Sequence, residues 1–107
     1  MKSEHSIPES LYKIVSPEDW HLSQLQLQVV NSSMDTNFIH LAKDDQLASI
    51  SKKFWNEKEF IVLKLDSVKL KGNLIYEINP GGTTKYYHLY GGTIPLDAVV
   101  EILQQLP

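Results

Sequence analysis

Apolar positions along the 107-residue chain alternate at some stretches and fall at helical spacing at others. Leu11-Tyr12-Lys13-Ile14-Val15 is rich in β-branched and aromatic side chains and predicts a first strand. Ser16-Pro17-Glu18-Asp19 then reads as a helix start. Ser16 is placed to cap, Pro17 takes the first helical position, and acids follow where the helix dipole favours them. The end of that helix is ambiguous, because Leu25, Leu27 and Val29 alternate with glutamines as a strand would. Residues 31–37 have loop composition, and Phe38-Ile39-His40-Leu41 predicts a short strand. A second helix is expected from Asp44 to Phe54, with acids at its start, Lys52 and Lys53 at its end, and Leu47, Ile50 and Phe54 in one stripe. Residues 59–65 are apolar on both faces, the pattern of a central strand. Residues 73–78 alternate, with Leu74, Tyr76 and Ile78 on one face and Ile75 and Glu77 on the other. Pro80-Gly81-Gly82 marks a turn, and residues 85–90 return as the hairpin partner. Gly91-Gly92 is expected to break that strand in a further hairpin turn. Residues 98–103 close the chain, with strand favoured over helix.

This β-α-β-α-β-β-β-β order predicts a single small α+β domain. Its expected form is a mostly antiparallel, strongly bent sheet with two helices packed on one side. Trp20, Leu47, Ile50, Phe54, Ile61, Leu63, Leu65 and Val99 are the expected core. Residues 1–10, polar and carrying Pro8, read as a flexible arm ahead of a domain spanning 11–107. The start of the chain lacks the apolar stretch of a secretory signal, and no run approaches membrane-spanning length. A cytoplasmic location without a membrane partner is therefore expected.

Composition narrows the chemistry. With no cysteine, a disulfide framework, a thiolate metal site and a cysteine nucleophile are all excluded. All ten basic residues are lysines. Guanidinium forks are the preferred bidentate grip on phosphate and guanine, so their absence, with a pI of ≈ 5.7, argues against specific nucleic-acid binding. Residues 43–71 hold seven lysines against five acids, an excess that a solvated helix and strand edge account for.

Candidate chemistry gathers at strand ends. His40 sits in a short apolar strand, and His88 lies in Tyr87-His88-Leu89-Tyr90 ahead of a glycine pair. Glu77 is a carboxylate inside an apolar strand. In the expected hairpin, Glu77 and His88 are near-opposite, an imidazole–carboxylate pair able to supply a base and its orienter. Tyr90 offers a phenol to the same place, and Gln46, on the first turn of the second helix, is expected to point its amide there. His40, His88, Glu77 and Tyr90 should converge on one cleft with Lys13 near its rim. His40 as a core-edge histidine, His88 as packing among the tyrosines, Tyr90 as amphipathic packing and Gln46 as a surface helix residue are the plainer alternatives. Two histidines and a carboxylate make a metal triad on paper, but no close ligand spacing supports one, and no metal is expected.

Leu11-Tyr12-Lys13-Ile14, Phe38-Ile39-His40-Leu41 and the run from His88 through Gly91-Gly92 to Pro95-Leu96-Asp97-Ala98-Val99, in that order, resemble the bacterial domain-of-unknown-function family number nine hundred fifty-two. That resemblance covers about residues 11–103 and implies a small α+β domain without an established activity. More distantly, Leu11-Tyr12-Lys13-Ile14-Val15 followed by Ile39-His40-Leu41-Ala42 resembles the two motif strands of the ADP-ribosyltransferase superfamily, notably the RNA 2′-phosphotransferases. By that resemblance His40 matches a histidine that helps hold the NAD-derived ribose. Lys13 stands where the first motif histidine would be, Ala42 replaces a serine, and the phosphate-gripping arginines have no counterpart. The resemblance implies a pocket for NAD or a related nucleotide, with His40, His88 and Glu77 as catalytic candidates and Lys13, Gln46 and Tyr90 as ligand-binding candidates. The activity expected is that of a small transferase or hydrolase acting on an NAD-like or other nucleotide ligand, ADP-ribosyltransferase-like in character. The alternative is a non-catalytic ligand-sensing or protein-interaction module that keeps the fold and the pocket without the chemistry.

Overall fold

The computed structural model describes residues 7–32 and 35–105. Strand β1 (Ser10–Val15) leads into helix α1 (Pro17–Gln26), followed by β2 (Ile39–His40) and helix α2 (Leu47–Phe54). Four strands follow: β3 (Phe60–Asp66), β4 (Lys71–Ile78), β5 (Lys85–Thr93) and β6 (Val99–Gln105). The strands form two antiparallel three-stranded sheets, ordered β1-β3-β6 and β2-β5-β4, with no closed barrel. The fold is α+β as expected, and the strand rich in apolar residues on both faces, β3, is central in its sheet.

One strand segment joins the two sheets. Ile39 and His40 pair with Leu89 and His88 of β5, and the Leu41 N–H donates to the Tyr87 carbonyl at 3.0 Å. One residue further, Ala42 exchanges both backbone hydrogen bonds with Tyr12 of β1, each 2.8 Å. Residues 39–42 therefore cross from one sheet to the other, and His40 sits at that seam. Leu11 and Val15 of β1, Leu63 and Leu65 of β3, and Tyr87 and Leu89 of β5 are buried in a shared core with Ile39 and Leu41.

Helix α1 starts where its cap chemistry dictates. Ser16 is extended (φ −74°, ψ 157°) and its side chain accepts from Asp19 N–H. The helix ends at Gln26, with Leu27 left-handed at φ 59°, so Leu25 and Leu27 do not continue as a strand and both stand exposed. Buried Ser23 fixes this exit: its hydroxyl donates to the Asp19 carbonyl at 2.6 Å and accepts from Val30 N–H at 2.9 Å. Substituting Ser16→Ala is expected to cost about 1 kcal/mol by removing a single N-cap acceptor. Urea unfolding checks this, and an unchanged midpoint would show that the cap is dispensable.

Several expectations are corrected. Leu47, Ile50 and Phe54 are not core residues: Phe54 is exposed and the other two are half-buried. The stripe is real, but Ile50 and Phe54 face a cleft instead of the sheet interior. Trp20 and Val99 pack against the core while only partly buried. Gly91-Gly92 does not break β5, which runs on to Thr93. The glycines serve a bulge, where the register against β4 shifts between Lys71 and Asn73. There the two backbones approach so closely that a Cβ on Gly92 would lie 1.6 Å from the Lys71 carbonyl oxygen. Of the expected arm, residues 1–6 lie outside the described residues, and the Pro8 and Glu9 carbonyls accept from Ser67 at 2.7 and 3.0 Å. Among the described residues no helix is long and apolar enough to cross a membrane.

Candidate functional site

Strand parity places the site. His40 is paired with His88, His88 with Ile75, Tyr86 with Glu77, and Tyr90 with Asn73. Paired residues share a sheet face and alternate residues repeat it. His40, His88, Glu77, Tyr86 and Tyr90 therefore project from one side of the β2-β5-β4 sheet, while Ile39, Leu74, Tyr76, Tyr87 and Leu89 form the core side. Glu77 and His88 are diagonal neighbours, not the near-opposite pair expected, because the turn at Pro80-Gly81-Gly82 puts Tyr86 across from Glu77. The diagonal is still within reach of long side chains.

Two polar networks meet there. In the first, Asp35 is the hub. Its Oδ1 accepts from the His40 backbone N–H at 3.0 Å and from His40 Nδ1–H at 2.9 Å. Its Oδ2 accepts from Ser32 N–H at 3.1 Å and the Ser32 hydroxyl at 3.2 Å, and lies 2.8 Å from Lys13 Nζ. Lys13 also donates to the His40 carbonyl at 3.1 Å. Burial by itself raises the Asp35 carboxyl, but the hydrogen bond from His40 and the charge of Lys13 outweigh it and hold the group well below the usual carboxylate range. With Nδ1–H donated to Asp35, the neutral ring of His40 carries its lone pair on Nε2. No described residue bonds that Nε2.

The second network centres on His88. His88 is fully buried. Its Nδ1 is 2.7 Å from Glu77 Oε2 and its Nε2 is 2.7 Å from Asn79 Oδ1. The Tyr90 hydroxyl donates to the same Glu77 oxygen. The bond from Tyr90, then that from His88, holds the Glu77 carboxyl below its ordinary value, and the bond to Glu77, helped by burial, raises the Tyr90 phenol. Phe38 ties the networks together. Its ring stacks on His88 at 3.9 Å and 22° and lies 4.8 Å from the ring of His40.

A cleft of ≈ 100 Å³ opens over the seam, lined by Lys13, Asp35, His40 and Asn79 and walled by Tyr12, Ile14, Ile50, Phe54, Trp55 and Tyr86. On the same measure a single water needs about 10–15 Å³, so the cleft has room for one small ring system.

The structure thus brings His40, His88, Glu77 and Tyr90 onto one face within two touching networks, with His40 lining the cleft and the other three not among its lining residues. Lys13 is buried at 4% exposure instead of standing at a rim, because its ammonium is drawn in to Asp35. Gln46 does not reach the cleft: its Oε1 accepts from Lys43 N–H and its Nε2 donates to the Lys85 carbonyl, both 2.9 Å. Sequence reasoning missed Asp35, Asn79 and the covering role of Phe38. Asp35 lay in a segment of loop composition; its distance of five residues from His40 was the one available signal. Among the described residues no group of three or more His, Asp and Glu side chains is placed to hold a metal ion.

Two antiparallel sheets sharing one strand segment, with a polar relay at the seam beneath an aromatic cleft, define a small split-sheet α+β domain. The chain belongs to the family described as "Protein of unknown function (DUF952)", whose model matches residues 14–102. The crystal structure of protein CC0527 from Caulobacter crescentus is similar at a TM-score of 0.77, with 24% identity over 89% of this chain and 84% of that one. Its solution NMR structure is similar at a TM-score of 0.71, with 23% identity over 90% of this chain and 84% of that one. At such identities the likeness shows the fold alone. No curated protein matches the chain.

Proposed function

We propose that the seam cleft is a binding site for the ring portion of a nucleotide of the NAD type and that His40 is its acid–base group, in a small transferase of ADP-ribosyltransferase-like character. The observation that carries this reading is the Asp35–His40 pair. A buried, ionised carboxylate orients through Nδ1 an imidazole that lines an aromatic-walled cleft, and its Nε2 is bonded to no described residue. A proton passed to Nε2 from a nucleophile in the cleft leaves an imidazolium next to Asp35, the arrangement that general-base catalysis uses. Tyr12, Trp55 and Tyr86 supply flat apolar surface for a ring, with few polar groups to fix its orientation, as small-molecule sites do. The cleft volume suits one ring, so ribose and phosphate would lie outside it.

One observation favours the module reading. Lys13, which lines the cleft, is held by Asp35, and among the described residues no other lysine lines the cleft to grip a phosphate. In that reading the pocket senses a ligand without turning it over, or the Lys-rich 43–71 surface docks a protein partner. Titrating the ¹⁵N-labelled protein with NAD, ADP-ribose and nicotinamide separates the two. We expect amide shifts confined to residues around His40, Ile50, Trp55 and Asn79, and their loss in His40→Ala. No response to any of the three would remove the nucleotide reading and leave the module.

A further inference from the structure

The His88 network needs a purpose that packing does not supply. A buried imidazole between a carboxylate and an amide is costly to assemble, and an apolar side chain would fill the space without needing hydrogen-bond partners. What the network fixes is Asn79. Asn79 lines the cleft, yet its Oδ1 is engaged by His88 Nε2 at 2.7 Å. Its Nδ2 amide makes no hydrogen bond to any described residue, and no buried side-chain nitrogen or oxygen among them lacks a partner. The Nδ2 donor therefore reaches solvent. His88 is locked in turn, by Glu77 on Nδ1 and by Phe38 stacked on its ring.

We infer that Asn79 is the cleft's specificity-determining residue: its Nδ2–H donates to a carbonyl oxygen carried by the bound ring, and His88 is the positioning residue that aims it. This rests on the reading of the cleft as a ring-binding site and adds the ligand chemistry to it. The favoured ligand is an uncharged planar ring bearing a carboxamide or a ring carbonyl. Such a ring stacks on the aromatic walls while its oxygen meets Asn79. The carboxamide of a nicotinamide group has that form. As placed, Asn79 Oδ1 faces His88 Nε2, so a proton on Nε2 is what holds the Asn79 oxygen inward. A bare Nε2 would instead draw the Asn79 amide inward and turn its oxygen to the cleft, reversing the preference.

Two measurements on the whole chain test this. The first needs no ligand: ¹⁵N shifts of the His88 ring, read through long-range couplings to its carbon-bound protons. A protonated Nε2 is expected, and an unprotonated Nε2 overturns the aim assigned to Asn79. The second compares nicotinamide with pyridine, which lacks the carbonyl, by chemical-shift titration of the native protein and of Asn79→Ala. The native protein should bind nicotinamide roughly tenfold more tightly than pyridine, the scale of one well-made hydrogen bond, and Asn79→Ala should abolish that ratio. Equal loss of both probes would mean that Asn79 only shapes the cleft, which overturns the inference while the cleft reading stands. If the native protein binds neither probe, the cleft reading falls and the inference with it.

Discussion

Replacing Asp35 by asparagine is expected to destabilise the protein by about 3–5 kcal/mol, the range for removing one partner of a buried ion pair. The Lys13 and Asp35 side chains are 4% and 1% exposed and 2.8 Å apart. Asparagine keeps one oxygen, for either the His40 or the Ser32 donors, and turns an NH2 toward the other set; it also removes the charge, leaving a buried ammonium with the His40 carbonyl as its acceptor among the described residues. The loss therefore belongs mainly to Lys13. Adding Lys13→Met to Asp35→Asn should recover most of it, because the second change removes the stranded charge and fills the same space with apolar atoms. Urea denaturation of the two variants decides the matter. A loss under about 1 kcal/mol for Asp35→Asn, the range of exposed pairs, would mean the hub is not buried in solution. A double variant no more stable than the single one would place the cost in the hydrogen bonds of Asp35 instead of the charge of Lys13.

The same pair sets a pH dependence with a definite sign. The Asp35 carboxyl is held below its ordinary value of 3.8 in the folded protein. The unfolded chain therefore binds more protons than the folded one as the medium is acidified, and stability falls with pH. The contribution of Asp35 is complete above the unfolded carboxylate range and drains away as pH drops through that range toward the depressed folded value. The stability gap between the native protein and Asp35→Asn should stay level from about pH 7 to about pH 5 and narrow below about pH 4. A gap that held its full size at about pH 3 would contradict the assigned depression.

Local chemistry was legible in the sequence; long-range partnership was not. The Ser16 cap, the Pro80-Gly81-Gly82 turn and the hairpin it closes are written in contiguous residues, and each is where the pattern puts it. The parity that gathers Glu77, His88 and Tyr90 on one face followed from the hairpin, but the register did not, so a diagonal pair was read as an opposite one. Helical spacing showed that Leu47, Ile50 and Phe54 share a stripe. It carried no information on what the stripe faces, and here that is a cleft. Asp35 was the largest omission. Its segment has the composition of a solvated loop, and its burial is created by a lysine on β1 that nothing local announces. Gln46 shows the same limit in reverse: it is expected on the first turn of the second helix, but it lies in a 3₁₀ turn over Asp44–Gln46 just ahead of α2, and its amide is taken up by a strand end 39 residues away.

Gly92→Ala should be among the most damaging single substitutions in the chain, costing about 3 kcal/mol or more. Added methyl groups usually cost about 1–3 kcal/mol where side chains can yield. Here the new Cβ meets backbone: Lys71 O at 1.6 Å, Lys71 C at 2.4 Å and Gly72 Cα at 2.6 Å. No rotamer relieves such contacts, so β4 and β5 must part at the bulge and give up ladder hydrogen bonds. Gly82→Ala is the matched control, since its Cβ would come no closer than 3.4 Å to anything, that neighbour being the Asn79 carbonyl oxygen; it should fall within about 0.5 kcal/mol of the native protein. Parting at the bulge also reaches the site, because Tyr90, bonded to Glu77, sits opposite Asn73 in the last strand pair before the register shifts. In any Gly92→Ala protein that still folds, the Tyr90 phenol, held above its ordinary 10.0 chiefly by its bond to Glu77, should ionise earlier on alkaline titration of the tyrosine absorbance. Equal unfolding midpoints for the two alanine variants would show that the strands do not approach as closely as the glycines imply.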